Sequence, residues 1–284
     1  MNETDRSRNQ IQLLADDTKD EKFGSHIAFL HKLFDHCHDR YLMGYNYVMI
    51  LVRSGDYIFP PAIMLWLPET HPDYRSKNKM LHDFIDQLAL DCQQHGYDLN
   101  DVEILFDAAY AKEHVILSAN TAGLRIITKA GNTLKFEFEA QYLKPREIIE
   151  IIKERHWHEL DGHRGYQRYI VTHRKYGKVV LVFRKRRLKN GKWAYDALLC
   201  NTLFYNAVRV DKKYRQRWDI EMHFKYYKQY LMLDKRSYRR VNTIKSHLYC
   251  IALAGWVVAL FRVQSKQKIS FRTAVKQITQ ELRW

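Results

Sequence analysis

The chain has 284 residues, 46% of them apolar, enough for a sizeable core in one large domain or two modest ones. Lys and Arg number 47 against 32 acidic residues, and the resulting +15 points to a polyanionic partner, most often nucleic acid. Cys37, Cys92, Cys200 and Cys250 lie far apart without CxxC spacing, which argues against a disulfide framework or zinc module and makes a reducing cytoplasm the expected location.

In chain order, the polar start MNETDRSRNQ does not read as a signal peptide. Residues 11–15 (IQLLA) read as a short buried strand ending at Asp16-Asp17-Thr18. A polar, His-rich connection follows, then two strand-like runs, YNYVMILVR and YIFPPAIMLWL, joined by the turn SGD. Residues 76–95 carry helical periodicity, with Gly96 as a stop. A second short buried strand, VEILF at 102–106, is followed at once by Asp107; LRIITKA is a further strand. PREIIEIIKERHW reads as a helix opened by Pro145. From Gly162 to Tyr195 there is no acidic residue, while basic residues alternate with strand-like RYIVTH and KVVLVF; this predicts a basic sheet surface within a β-rich segment at about 160–203.

The segment YRQRWDIEMHFKYYK predicts one helix. At about 100° per residue, Tyr214, Arg217, Glu221 and Lys228 fall within roughly 60° of one another, beside an apolar stripe of Ile220, Phe224, Tyr227 and Leu231. The last apolar run, at 248–261, is shorter than the ~20 residues of a membrane span and predicts a buried core helix. No membrane association is expected.

Two short buried strands thus end in an acid, Asp16 and Asp107, at the carboxyl ends where α/β sheets gather ligands. Hard Mg²⁺ prefers carboxylate, water and phosphate oxygens, and two such ions serve phosphodiester chemistry. Glu221, on a helix, is available as a third acid.

Y-x2-R-x3-E-x6-K resembles the signature of DDE transposases from bacterial insertion sequences, the branch with a Tyr-Arg-Glu-Lys motif and a β-rich insertion. LLADDT looks like that family's first-aspartate strand, in which Thr follows the acid by two residues, favouring Asp16 over Asp17. VEILFDAAYAK is similar to the second-aspartate strand, with Ala109 where Gly is usual, and GLRIITKAGN to the strand before the insertion. The resemblance covers residues 10 to about 263. It implies a ribonuclease-H-like mixed α/β sheet with flanking helices, divided into a first core part (1–131), a basic β-rich insertion (132–203) and a second core part (204–284). It implies that Asp16, Asp107 and Glu221 hold two Mg²⁺ ions, with Mn²⁺ able to substitute, and that Tyr214, Arg217 and Lys228 grip phosphates beside the cleaved end. It further implies double-stranded DNA, both element ends and target, as the partner, a homodimer on paired ends, and a hairpin intermediate. Only about 15 residues precede Asp16, so the helical end-recognition domain is expected to be missing. An idle DNA-binding remnant and a two-metal nuclease are the alternatives.

Arg184, Lys185, Arg186 and Arg187 are expected to contact DNA, and Trp193 to stack on a displaced base or pack on its own hairpin. Two metal signals are set aside. His26, His31, His36, Cys37 and His38 lack finger spacing, and His158 and His163 in HELDGH are five apart, not four.

Overall fold

A computed structural model of the chain describes residues 10–24, 27–35, 38–235, 238–265 and 269–282; His26, His36 and Cys37 lie outside them. It opens with β1 (Ile11–Glu21), β2 (His31–Asp35), β3 (Arg40–Ser54), β4 (Tyr57–Trp66) and α1 (Lys77–Gln94). Next come β5 (Glu103–Phe106), a 3-10 turn (Ala108–Tyr110), α2 (Glu113–Thr121), β6 (Arg125–Lys129), β7 (Phe136–Phe138), β8 (Gln141–Leu143) and α3 (Pro145–Ile152). The chain continues through β9 (His158–Glu159), β10 (Arg164–His173), β11 (Gly177–Arg187) and β12 (Trp193–Cys200). Four helices close it: α4 (Ala207–Arg215), α5 (Trp218–Tyr230), α6 (Val241–Gln264) and α7 (Phe271–Glu281). The fold is mixed α/β. It forms two compact units, Met1–Met80 with Trp218–Trp284, and Leu81–Arg217.

In the first unit β3 is the central strand. It pairs antiparallel with β1 along one edge and with β2 and then β4 along the other. Alternation along β3 buries Tyr45, Tyr47, Met49 and Leu51 on one face, with Val48 and Ile50 also buried on the other. β1 does not end at Asp16. It pairs with β3 from Ile11↔Ser54 to Glu21↔Gly44, so Asp16 and Asp17 stand in mid-strand. The polar half of β1 is accommodated because its acids find partners inside the unit. Tyr47 Oη donates to Asp20 Oδ2 at 3.0 Å, and Lys22 Nζ lies 2.9 Å from the same oxygen. Gly44 lets the strands close, since a Cβ there would come 2.2 Å from the Asp20 carbonyl oxygen. The His-rich connection holds β2, whose His31 ring stacks on Trp66 at 4.3 Å.

The second unit carries a sheet ordered β5-β6-β12-β11-β10-β7-β8, with β9 on β10. Only the β5–β6 pair is parallel. The basic segment is therefore continuous with the β5–β6 pair through β12, where Leu198 to Cys200 pair with Lys129 to Ile127. Both faces of its central strands are apolar where they meet, since the consecutive residues Val179 to Phe183 and Ala197 to Cys200 are all buried. α3 starts as expected, with Pro145 at its first turn and Glu147 Oε2 accepting from the Lys144 amide at 2.7 Å. It stops at Ile152, and buried Trp157 donates its indole N–H back to the Lys153 carbonyl at 3.1 Å.

Two further differences bear on function. The predicted single helix across 214–228 is two helices. At the junction the amides of Gln216 and Arg217 donate to the carbonyls of Lys213 and Tyr214, at 2.9 and 3.0 Å. These are three-residue bonds, which tighten the turn and end the four-residue ladder. The second is α6, 24 residues long and apolar enough to cross a membrane by length and composition alone. It is not a fully buried core helix: one face packs on the sheet and the other is exposed.

Candidate active site

The first unit contributes β1 and α5. Successive side chains on β1 point to opposite faces, so Asp16 and Asp17 have separate surroundings. Asp17 Oδ2 accepts from Asn46 Nδ2 at 2.8 Å and from Lys77 Nζ at 2.9 Å, which commits it to structure. Asp16, half-buried, accepts the Asp17 amide on Oδ1 at 2.9 Å. Asp20 shares Asp16's face, but it is fully enclosed, and burial pushes its carboxyl up despite the nearby Lys22 ammonium.

α5 packs on β1 and buries Ile220, Phe224 and Tyr227. Its first turn holds Asp219 and Glu221, at the positive end of the helix dipole. Asp219 pairs with Arg53 at 3.1 Å, and Arg53 also donates to Gln12 Oε1 at 2.8 Å, tying the start of α5 to the first strands. Glu221, two residues on, is half-buried. At the far end Lys228 donates from Nζ to the Lys19 carbonyl at 2.5 Å. Burial lowers the Lys228 pKa, with Asp20 and Asp234 opposing that shift.

The second unit contributes Asp107, Tyr214 and Arg217. Every side chain of β5 is buried, and Asp107 leaves the strand in extended geometry to begin the 3-10 turn. From 107 residues later, Tyr214 in the last turn of α4 brings its hydroxyl to 3.5 Å from Asp107 Oδ1. Burial raises the pKa of that hydroxyl, against the pull of the Arg217 cation, so it remains a donor. The guanidiniums of Arg184 and Arg217 lie 5.5 and 5.9 Å from the Tyr214 ring centre.

The expected DNA-contacting run is split. Arg184 forks onto Asp196 at 2.6 and 2.7 Å and reaches Asp211 at 2.7 Å. Asp211 is buried and also accepts from Tyr166 Oη at 2.7 Å and from Arg215 Nη2. Burial pushes its carboxyl up, yet Tyr166 and Arg184 more than offset this and hold it below the ordinary value. Lys185 pairs with Glu159 at 2.8 Å, with its ammonium 4.7 Å over the Trp193 ring. Arg186 and Arg187 are exposed, and Trp193, half-buried, pairs with Arg187 next to the turn of the hairpin. Asp211 is a structural residue that sequence reasoning passed over. The signal was an acid inside the cationic run VRVDKKYR, four residues before Arg215.

The structure thus brings Asp107, Tyr214 and Arg217 together in one unit, and sets Asp16, Glu221 and Lys228 on packed elements of the other. Among the described residues no three metal-ligating side chains converge on one point. The three acids offer only carboxylate oxygens, the donor class suited to Mg²⁺ and Mn²⁺.

A family model, the transposase DDE domain, matches residues 20–256. The chain belongs to this family. Its members are enzymes that cut DNA and transfer strands, generally with divalent metals, so this chain is a DNA-binding transposase. The match takes in Asp107, Tyr214, Arg217, Glu221 and Lys228 and begins four residues after Asp16. No curated protein matches the chain.

Proposed function

We propose that this transposase is of the Tyr-Arg-Glu-Lys type found in bacterial insertion sequences. It cuts DNA at the ends of its own element and joins the freed 3′-hydroxyl to target DNA, as a homodimer on paired ends in the bacterial cytoplasm. The observation that carries the reading is the 3.5 Å approach of Tyr214 Oη to Asp107 Oδ1, which sets the first residue of the signature beside the second acid within one unit.

In this reading Asp16, Asp107 and Glu221 hold two Mg²⁺ ions, and Mn²⁺ can replace them. When bound, the ions activate an attacking oxygen and stabilise a leaving one. The chain's own groups position the DNA. Tyr214 stays protonated through burial and donates to a phosphate oxygen. Arg217 offers a planar fork for two oxygens, and Lys228 a point charge whose burial makes an approaching phosphate favourable. Arg186 and Arg187, exposed on the basic strands of the proposed insertion, contact the backbone further out, with Trp193 beside them to stack on a displaced base. Arg184 and Lys185 hold that surface in shape instead of touching DNA.

The test is Mg²⁺-dependent cleavage of a duplex carrying the element's terminal sequence, read from the DNA flanking the gene. Asp16→Asn and Asp107→Asn should each remove cleavage, while Asp17→Asn should retain most of it. Full cleavage by Asp107→Asn would sink the assignment.

A further inference from the structure

The first unit holds a surface that catalysis does not use. On α6, Tyr249, Leu253, Val257, Leu260 and Val263 are 67, 66, 49, 46 and 58% exposed. They recur at steps of three and four, so they form one stripe about 21 Å long at 1.5 Å per residue. The opposite face is packed, with Ile244, Leu248, Ile251, Gly255, Val258 and Ala259 buried. A helix apolar on both faces requires a partner on the open one.

The helix is fastened in place. Trp256 Nε1 donates to the Pro60 carbonyl at 2.8 Å, and its ring lies 4.2 Å from that of Phe59. Gly255 touches Tyr227 so closely that a Cβ would meet the hydroxyl at 2.2 Å. These contacts hold α6 against β4 and α5.

We propose that a second copy of this chain covers the stripe, giving a two-fold dimer in the absence of DNA. Three observations favour that occupant. From Ser246 to Phe261 there is no Asp, Glu, Lys or Arg, so two copies of a +15 chain can meet here without opposing charges. Two flanking cations are engaged in their own copy: Lys245 Nζ lies 3.6 Å from Asp73, and Arg262 donates to the Ile269 carbonyl at 3.2 Å. An anionic lipid surface would use such cations free. The area also suffices. With Tyr near 200 Å² and Leu and Val smaller, the exposed fractions sum to roughly 500 Å² per copy, or about 1,000 Å² for a pair, the threshold of a specific interface. Pairing the stripe with itself antiparallel, about a centre between Leu253 and Val257, is self-complementary, as a two-fold interface must be. None of this depends on which residues are catalytic, so a failure here leaves the transposase reading standing.

Light scattering after size exclusion, without DNA or added metal, tests it on the full chain between about 5 and 100 µM, the range suited to an interface of this size. The mass should rise toward twice the 34.2 kDa of one chain, and Leu253→Lys with Val257→Lys should return it to a single chain with an unchanged circular dichroism spectrum. Should that pair fail to fold, Tyr249→Glu, at the most exposed position, replaces it with the same expected loss. A wild-type mass of 34.2 kDa throughout overturns the proposal, as does a dimer that survives the substitutions. Sedimentation of monomeric protein with phosphatidylglycerol vesicles would also overturn it, by making the stripe a lipid surface.

Discussion

Arg184 is a cation held in ion pairs within a run of four consecutive basic residues. Its guanidinium makes three bonds of 2.6 to 2.7 Å to Asp196 and Asp211, and its side chain is 19% exposed. Removing one partner of a buried pair leaves uncompensated charge and costs about 3–5 kcal/mol. Asp211 keeps Tyr166 and Arg215, and the site is partly open, so Arg184→Met should cost about 3 kcal/mol, the lower end of that range. That is roughly a hundredfold in the folding equilibrium. Urea unfolding followed by tryptophan fluorescence reads it, since buried Trp157 lies in the same unit. The cost should shrink on acidification. The folded Asp211 carboxyl is held below its unfolded value, so its contribution is complete above about pH 4 and fades as pH falls through the folded value. Arg187→Met, at an exposed position, should stay within about 0.5 kcal/mol of wild type. An Arg184→Met protein that unfolds at the wild-type urea concentration but loses DNA affinity would make Arg184 a DNA contact and not a structural cation.

Other expectations follow from the same side chains. Neutralising Arg186 and Arg187 together should flatten the salt dependence of non-specific DNA binding, by roughly one unit of slope for each phosphate no longer neutralised; an unchanged slope would place the DNA elsewhere. Asp17→Ala should lower stability by about 1–3 kcal/mol, because it strands the Lys77 ammonium and the Asn46 amide; thermal unfolding of a variant with intact secondary structure reads this. His223 is buried, and burial lowers its pKa although its Nδ1 donates to the Asp219 carbonyl at 2.8 Å. The unfolded chain therefore binds the extra proton first, and His223's contribution is complete above about pH 6.5 and lost as pH falls toward the lowered folded value. His223→Phe should flatten the stability curve in that window, and an unchanged slope would exclude this histidine as its source.

Much of the fold was legible because local pattern and tertiary demand agree. The β3–β4 hairpin follows from two apolar runs around SGD, α1 from its periodicity and Gly96, and β5 from four apolar or buried residues before Asp107. Legibility ended where partners come from afar. The polar half of β1 looks like a turn until Tyr47, Asn46 and Lys77 are seen to satisfy its acids. The α4–α5 break was invisible because both helices keep the same 3.6-residue periodicity through Gln216, and only the hydrogen bonds change. The strand that carries Asp107 could be read from its apolar residues. That Arg184 and Lys185 are already paired could not, since Asp196, Asp211 and Glu159 reach them from other elements.

The most direct test of the central claim is strand transfer. A pre-cut terminal duplex with a free 3′-hydroxyl is incubated with supercoiled plasmid, Mg²⁺ and either wild-type protein or Glu221→Gln. Wild type should give joined products, lost on chelation, and Glu221→Gln none although that variant still binds the duplex. Joining by Glu221→Gln at the wild-type rate would contradict the claim.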